Sequence, residues 1–231
     1  MSKNGFVIIP ILLIFAVSLA VSGYVAYTYL IKPKESPSKE QTKPAAKLPT
    51  PSPNLEKKPS PSPLIPIEQV EEKCKFEDVL ESTPYKKRGF KICYPKKWSI
   101  NESGLAGTTV VFLNPQADQE RNIPFYANFN VLVSPSRGVD LDGYINDAKP
   151  NLPKIFPNYT LVDDKRITIN GKTAHVLGAT YTIDVIKFRN SQTVIIEQGN
   201  VYIVTATTFQ STWDKYKDLF ETSAQTFEIG Y

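Results

Sequence analysis

Residues 158–182 read NYTLVDDKRITINGKTAHVLGATYT, two β-forming runs broken at Asn170-Gly171. Asn-Gly tolerates positive φ at both positions, the geometry of the tightest hairpin turns, so the stretch predicts strands over Tyr159–Ile169 and Lys172–Ile183. Working outward, Thr193–Gln198 and Val201–Phe209 flank Gly199-Asn200 and predict a second hairpin. Upstream, Phe90-Lys91-Ile92-Cys93-Tyr94 alternates apolar and polar residues and ends at Pro95, while Thr108–Leu113 is a short β-branched run ending at Asn114-Pro115. Phe125, Ala127, Phe129, Val131 and Val133 alternate with Asn128 and Asn130, the pattern of a strand with one buried face. Two helices interrupt the strands. Asp140 is placed to cap one whose inward face is Leu141, Tyr144, Ile145 and Ala148, with a stop at Pro150. Ser211-Thr212-Trp213-Asp214 reads as a capping box, and Trp213, Tyr216, Phe220 and Phe227 form a one-sided stripe suited to packing on a sheet. The fold class is α+β.

Four segments carry a more specific signal: GFKICYPKKWSI, NFNVLVSP, the 158–182 hairpin, and NVYIVTATTFQSTWDKYKDLFETSAQTFEI. Together, over residues 88–229, they resemble the PsbP-like family, which groups photosystem II extrinsic proteins with bacterial lipoproteins and a Ran-binding release factor. The shared marks are aromatic-x-hydrophobic-x-Tyr-Pro-x-x-Trp at the start, then a closing strand, a Trp-bearing helix and a terminal Phe. The resemblance implies a twisted antiparallel sheet with helices on both faces. It implies no activity, because one fold hosts unrelated jobs. Nothing in the sequence marks a photosynthetic role, and no cysteine follows the N-terminal apolar run as it does in lipoprotein relatives.

The chain has four parts: a head (1–5), an apolar anchor (6–31), a linker (32–73) and the domain (74–231). From Phe6 to Ile31 there is no charge, and as a helix these residues would span ~39 Å against a hydrocarbon core of ~30 Å. Tyr24, Tyr27 and Tyr29 cluster at its end as interfacial aromatics do. The run continues past a small-residue site at Ala20-Val21-Ser22, which favours an uncleaved signal anchor, N-terminus inside and domain outside. Lys3-Asn4-Gly5-Phe6 also resembles a prepilin leader, but Pro10 stands where pilins carry Glu. Ten of the nineteen prolines lie between Pro33 and Pro66, among Ser, Thr and Lys, a composition too poor in apolar surface to pack. A coil of this length spans roughly 35–40 Å, enough to hold a domain off a membrane.

The formal charge of +4 is concentrated before the domain: residues 1–73 carry nine Lys/Arg against six acids, residues 74–231 eighteen against seventeen. A nearly neutral domain argues against nucleic acid as partner. Cys74 and Cys93 either form a disulfide closing a loop of about 20 residues, worth roughly 3 kcal/mol, or remain two separate buried thiols. Their spacing, with one histidine in the chain, fits no zinc site. The sequence contains no G-x-S-x-G, H-E-x-x-H, P-loop or G-x-G-x-x-G motif, so neither catalysis nor a cofactor is expected. His175 alternates in phase with Leu177, Ala179, Tyr181 and Ile183 and reads as packed or edge-lying. The paired acids Asp140/Asp142 and Asp163/Asp164 lack an EF-hand frame.

One segment is electrically asymmetric. Between Ser82 and Asn101 lie Lys86, Lys87, Arg88, Lys91, Lys96 and Lys97, with no acid, interleaved with Tyr85, Phe90, Tyr94 and Trp98. It reads either as a positive surface that steers an anionic partner or as an edge strand guarded by lysines. The expected function is that of a membrane-anchored, surface-displayed, non-enzymatic binding or accessory module. Its partners would be membrane lipid through residues 6–31 and a protein complex or anionic envelope polymer. A minor pilin-like subunit is the alternative, and a hydrolase built on His175 a lesser one.

Overall fold

The computed structural model describes Cys74 and residues 81–231. The anchor and linker expectations, over residues 1–73, lie outside the described residues. Among the described residues no helix is long and apolar enough to cross a membrane.

Hairpin turns set the architecture. Arg88-Gly89, Arg121-Asn122, Asn170-Gly171 and Gln198-Gly199 each hold positive φ at both positions, the twist that matches paired strands. They join β1 (Ser82–Lys87) to β2 (Phe90–Pro95), β5 (Asp118–Glu120) to β6 (Ile123–Phe125), β8 (Thr160–Ile169) to β9 (Lys172–Ile183), and β10 (Ile186–Glu197) to β11 (Asn200–Phe209). Three further strands are β3 (Ser99–Asn101), β4 (Val110–Leu113) and β7 (Asn128–Pro135), and β12 (Glu228–Ile229) closes the chain. The main sheet has seven antiparallel strands in the order β3-β4-β7-β11-β10-β9-β8, and a smaller sheet has the order β1-β2-β12.

Helices cover both faces. On one, α3 (Trp213–Gln225) and the β1-β2-β12 sheet enclose Trp98, Phe112, Phe129, Tyr202, Phe220 and Phe227. On the other, α1 (Leu141–Ala148) and α2 (Leu152–Ile155) bury Tyr144, Ile145, Tyr181, Phe188, Ile203 and Phe209. Asp140 caps α1, its Oδ1 accepting from the Gly143 N–H at 2.8 Å. Cys74 and Cys93 form a disulfide with Cα atoms 5.8 Å apart, and the Ser82 hydroxyl donates to the Cys74 carbonyl at 2.9 Å.

Four local expectations are corrected. The strand expected over Phe125–Val133 is two elements: Phe125 ends β6, and β7 begins at Asn128. Asn128 and Asn130 do not face solvent, since with layers on both sides of the sheet they are 1% and 0% exposed. They lie beside Thr207 and Thr205, which in turn lie beside Asn190 and Gln192, so a buried polar band crosses β7, β11 and β10. The second hairpin turns one residue early, at Gln198-Gly199, and its first strand starts at Ile186 because the polar residues of β10 are part of that band. The capping box does not form: a 3-10 turn over Gln210–Thr212 leads into α3, so the Thr212 hydroxyl meets Thr208 at 2.8 Å while Ser211 donates to Glu120 at 2.5 Å.

Candidate functional site

β1 is an outer strand of its sheet, so its exposed edge needs the lysines and Pro84 that it carries. Lys86 sits directly opposite Lys91. Like charges in that position repel, and the Tyr231 ring offsets this by lying under both ammonium groups, 5.6 Å from Lys86 Nζ and 5.5 Å from Lys91 Nζ. Lys91 is only 7% exposed and reaches Glu228 at 3.5 Å, so it serves the fold rather than a partner.

On the other side of the hairpin, Lys87 and Tyr85 share one carboxylate. Lys87 Nζ lies 3.0 Å from Glu102 Oε2, and the Tyr85 hydroxyl donates to Oε1 at 2.6 Å. That hydroxyl first, and then Lys87, holds the Glu102 carboxyl below its ordinary range. Burial, reinforced by Glu102, pushes the Tyr85 phenol up. Arg88 is exposed in the turn with φ 59°. At the far end of the strands, roughly 17 Å from the turn at ~3.3 Å per residue, Lys96 approaches Glu81 at 3.7 Å and Lys97 is exposed.

The six cations therefore do not form one face. Lys86, Lys87 and Arg88 gather at the hairpin tip with Tyr231, Lys96 and Lys97 stand apart, and Lys91 is internal. Tyr231, Glu102 and Glu228, which complete the tip, come from distant parts of the chain and have no local signal in the sequence.

The acid pair on β8 separates. A bulge between Leu161 and Asp163 re-aims the strand. Asp163 then binds Arg189 at 2.6 Å, whereas Asp164 binds Lys149 at 2.5 Å and His175 Nε2 at 2.7 Å. The Lys149 ammonium first, then His175, holds the Asp164 carboxyl below its ordinary range. A hydrolase at His175 would need a nucleophile at the other ring nitrogen, but Nδ1 is buried with no hydrogen-bond partner among the described residues. The cluster fixes α1 to the sheet edge, helped by an ion pair between Asp142 and Arg166. Among the described residues no three His, Cys, Asp or Glu side chains are grouped to hold a metal ion.

The PsbP family profile matches residues 81–229. Among solved structures, the cyanobacterial PsbP of Synechocystis sp. PCC 6803 aligns with a TM-score of 0.51 at 19% identity, covering 68% of this chain and 96% of that one. LpqN of Mycobacterium tuberculosis, involved in cell envelope biogenesis, aligns with a TM-score of 0.50 at 18% identity, covering 65% and 91%. No curated protein matches the chain. At such identities the structural likeness speaks to the fold, a mostly antiparallel α+β domain of a kind generally found in non-enzymatic accessory proteins. With a profile match that spans more than half of the chain, this protein belongs to the PsbP family.

Proposed function

We propose that the chain is a membrane-tethered accessory module that binds a protein complex or an anionic envelope polymer outside the membrane. The observation that carries this reading is the β1–β2 tip, where Lys86, Lys87 and Arg88 are exposed beside Tyr231, itself 46% exposed, on a two-strand element stapled by the Cys74–Cys93 bridge. A rigid cluster of cations with an amphipathic aromatic is suited to steering and then holding an anionic surface. The uncharged run over residues 6–31 supports an anchor, the proline-rich linker supports a spacer, and a disulfide supports an oxidising compartment. LpqN, which shares the fold, is involved in cell envelope biogenesis, the setting that this reading assigns. The test uses the full-length protein as bait in detergent-solubilised envelope extract at low and high salt. Lys86→Glu, Lys87→Glu and Arg88→Glu together should abolish the salt-sensitive capture. Capture of the same partner, with the same salt dependence, by wild type and triple variant would refute the reading.

A further inference from the structure

Eight large apolar side chains are exposed among the described residues, and five of them, Ile155, Leu161, Val162, Ile183 and Val185, fall at one corner of the main sheet. The fold brings them there. α2 ends at Ile155, and two residues later the Pro157 carbonyl accepts from the Thr182 N–H at 3.0 Å, next to Ile183. Leu161 lies opposite Ala179 near the start of β8, and Val162 is the bulged residue that the ladder skips before Asp163. Val185 stands in the β9–β10 turn and, at 58%, is the most exposed of the eight. Exposed apolar residues scattered singly need no explanation, but a cluster marks a surface built to be covered.

The chemistry of the corner suits a bilayer better than a protein. All five side chains are aliphatic, whereas Trp, Tyr and Arg anchor protein interfaces. The neighbouring charges are Lys154, Lys187 and Asp184, exposed and without an ion pair among the described residues. Asp163 and Asp164, the acids of β8, are already matched by Arg189, Lys149 and His175. Lysines are depleted at protein interfaces, but at a membrane their stems lie along apolar surface while the ammonium groups meet anionic head groups.

We propose that this corner docks on the anionic bilayer to which the chain is tethered, with the aliphatic side chains at the head-group boundary and Lys154 and Lys187 among the phosphates. This pose requires the anchor over residues 6–31 and so rests on the membrane-tethered reading. A linker with a span of roughly 35–40 Å keeps the domain close enough to the surface for a weak patch to engage it. Two placements favour the pose. The linker joins at Cys74, bridged to Cys93 and bonded to Ser82, at the end of β1–β2 away from its tip. The corner too is remote from the tip. Asn170, in the β8–β9 turn, donates to the Phe227 carbonyl beside the strand that closes the tip. From that turn β9 runs twelve residues, roughly 36 Å, to Ile183. Docked by the corner, the domain would turn Lys86, Lys87 and Arg88 away from the membrane and toward their partner.

The experiment reconstitutes the full-length protein in vesicles of phosphatidylcholine and phosphatidylglycerol, with an environment-sensitive fluorophore on Val185→Cys or, for comparison, on Arg88→Cys. Flotation with the vesicles reports the anchor, and quenching by acyl-chain nitroxide lipid or by aqueous iodide reports the corner. The probe at 185 is expected to shift to the blue, to be quenched by the nitroxide and to be shielded from iodide, with the reverse at 88. Lys154→Gln with Lys187→Gln should lower the docked-to-free ratio about tenfold or more, as should vesicles of phosphatidylcholine alone. Leu161→Asp with Ile183→Asp, at exposed positions and shown by melting to be folded, should abolish the shift. A floating protein whose probe at 185 meets iodide as freely as the one at 88 would overturn the proposal and leave the anchor standing. So would shielding from both quenchers, which means that a protein covers the corner, or nitroxide quenching that survives Leu161→Asp with Ile183→Asp. Failure to float would overturn anchor and proposal together.

Discussion

Gly178 is buried in β9 directly opposite Asp163, and the carboxylate side chain fills the space that a Cβ would need. Alanine normally suits a strand better than glycine, but here it must displace Asp163 and with it the Arg189 pairing. Gly178→Ala should therefore destabilise the domain by about 1–3 kcal/mol, read as a lower urea midpoint with unchanged slope. Asp164 gives a pH signature. Its folded pKa lies below the ordinary value of 3.8, so its contribution to stability is present above that value and is lost as pH falls through the folded pKa. Wild type should melt above Asp164→Asn at about pH 6, and the gap should narrow progressively as pH falls below 3.8. A gap independent of pH would mean that Lys149 and His175 do not hold the carboxylate. Neither role was legible in the sequence, where Asp163 and Asp164 read only as an acid pair without an EF-hand frame. The bulge that sends them to different partners is a register event, fixed by pairing with β9 rather than by neighbouring residues.

Elements were legible where their signals are local. Asn170-Gly171 dictates its turn through its own backbone freedom, and Asp140 caps α1 through a bond three residues away. Asp140→Ala should cost about 1 kcal/mol, measured by thermal melting. Loss of less than a few tenths would show that packing of Tyr144 and Ile145 alone holds the helix. The capping box at Ser211–Asp214 failed because tertiary structure brings Glu120 to Ser211, while Thr212 bonds Thr208 at the end of β11. β10 was seen only from Thr193 because Asn190 and Gln192 look like solvent-facing residues until layers are placed on both sides of the sheet. The disulfide is the element-scale staple. Cys74→Ser with Cys93→Ser should lower stability by roughly 3 kcal/mol, and the same loss should follow reduction of wild type. Equal melting of oxidised and reduced wild type would contradict a structural role for the bridge.

For the whole molecule, the class and layering followed from strand alternation, the aromatic stripe on α3 and the family resemblance, and the structure bears out a mostly antiparallel sheet with helices on both faces. The basic segment was visible as a run of charges, but its division was not. Lys91 is drawn inside by Glu228 and Tyr231, contacts that close only when the C-terminal strand meets the hairpin, and Lys87 is tied to Glu102 just beyond β3. What remains outside is a compact tip at Lys86, Lys87 and Arg88, which is the centre of the functional account. The measurement that tests it most directly is in-cell photo-crosslinking of the full-length protein, with the reactive residue placed at Arg88 or, as a comparison, at Asp184 in the β9–β10 turn. The account predicts a discrete protein or polymer adduct from position 88 that disappears with Lys86→Glu and Lys87→Glu and is absent from position 184. Adducts of equal yield at both positions, or an adduct at 88 indifferent to those charges, would contradict it.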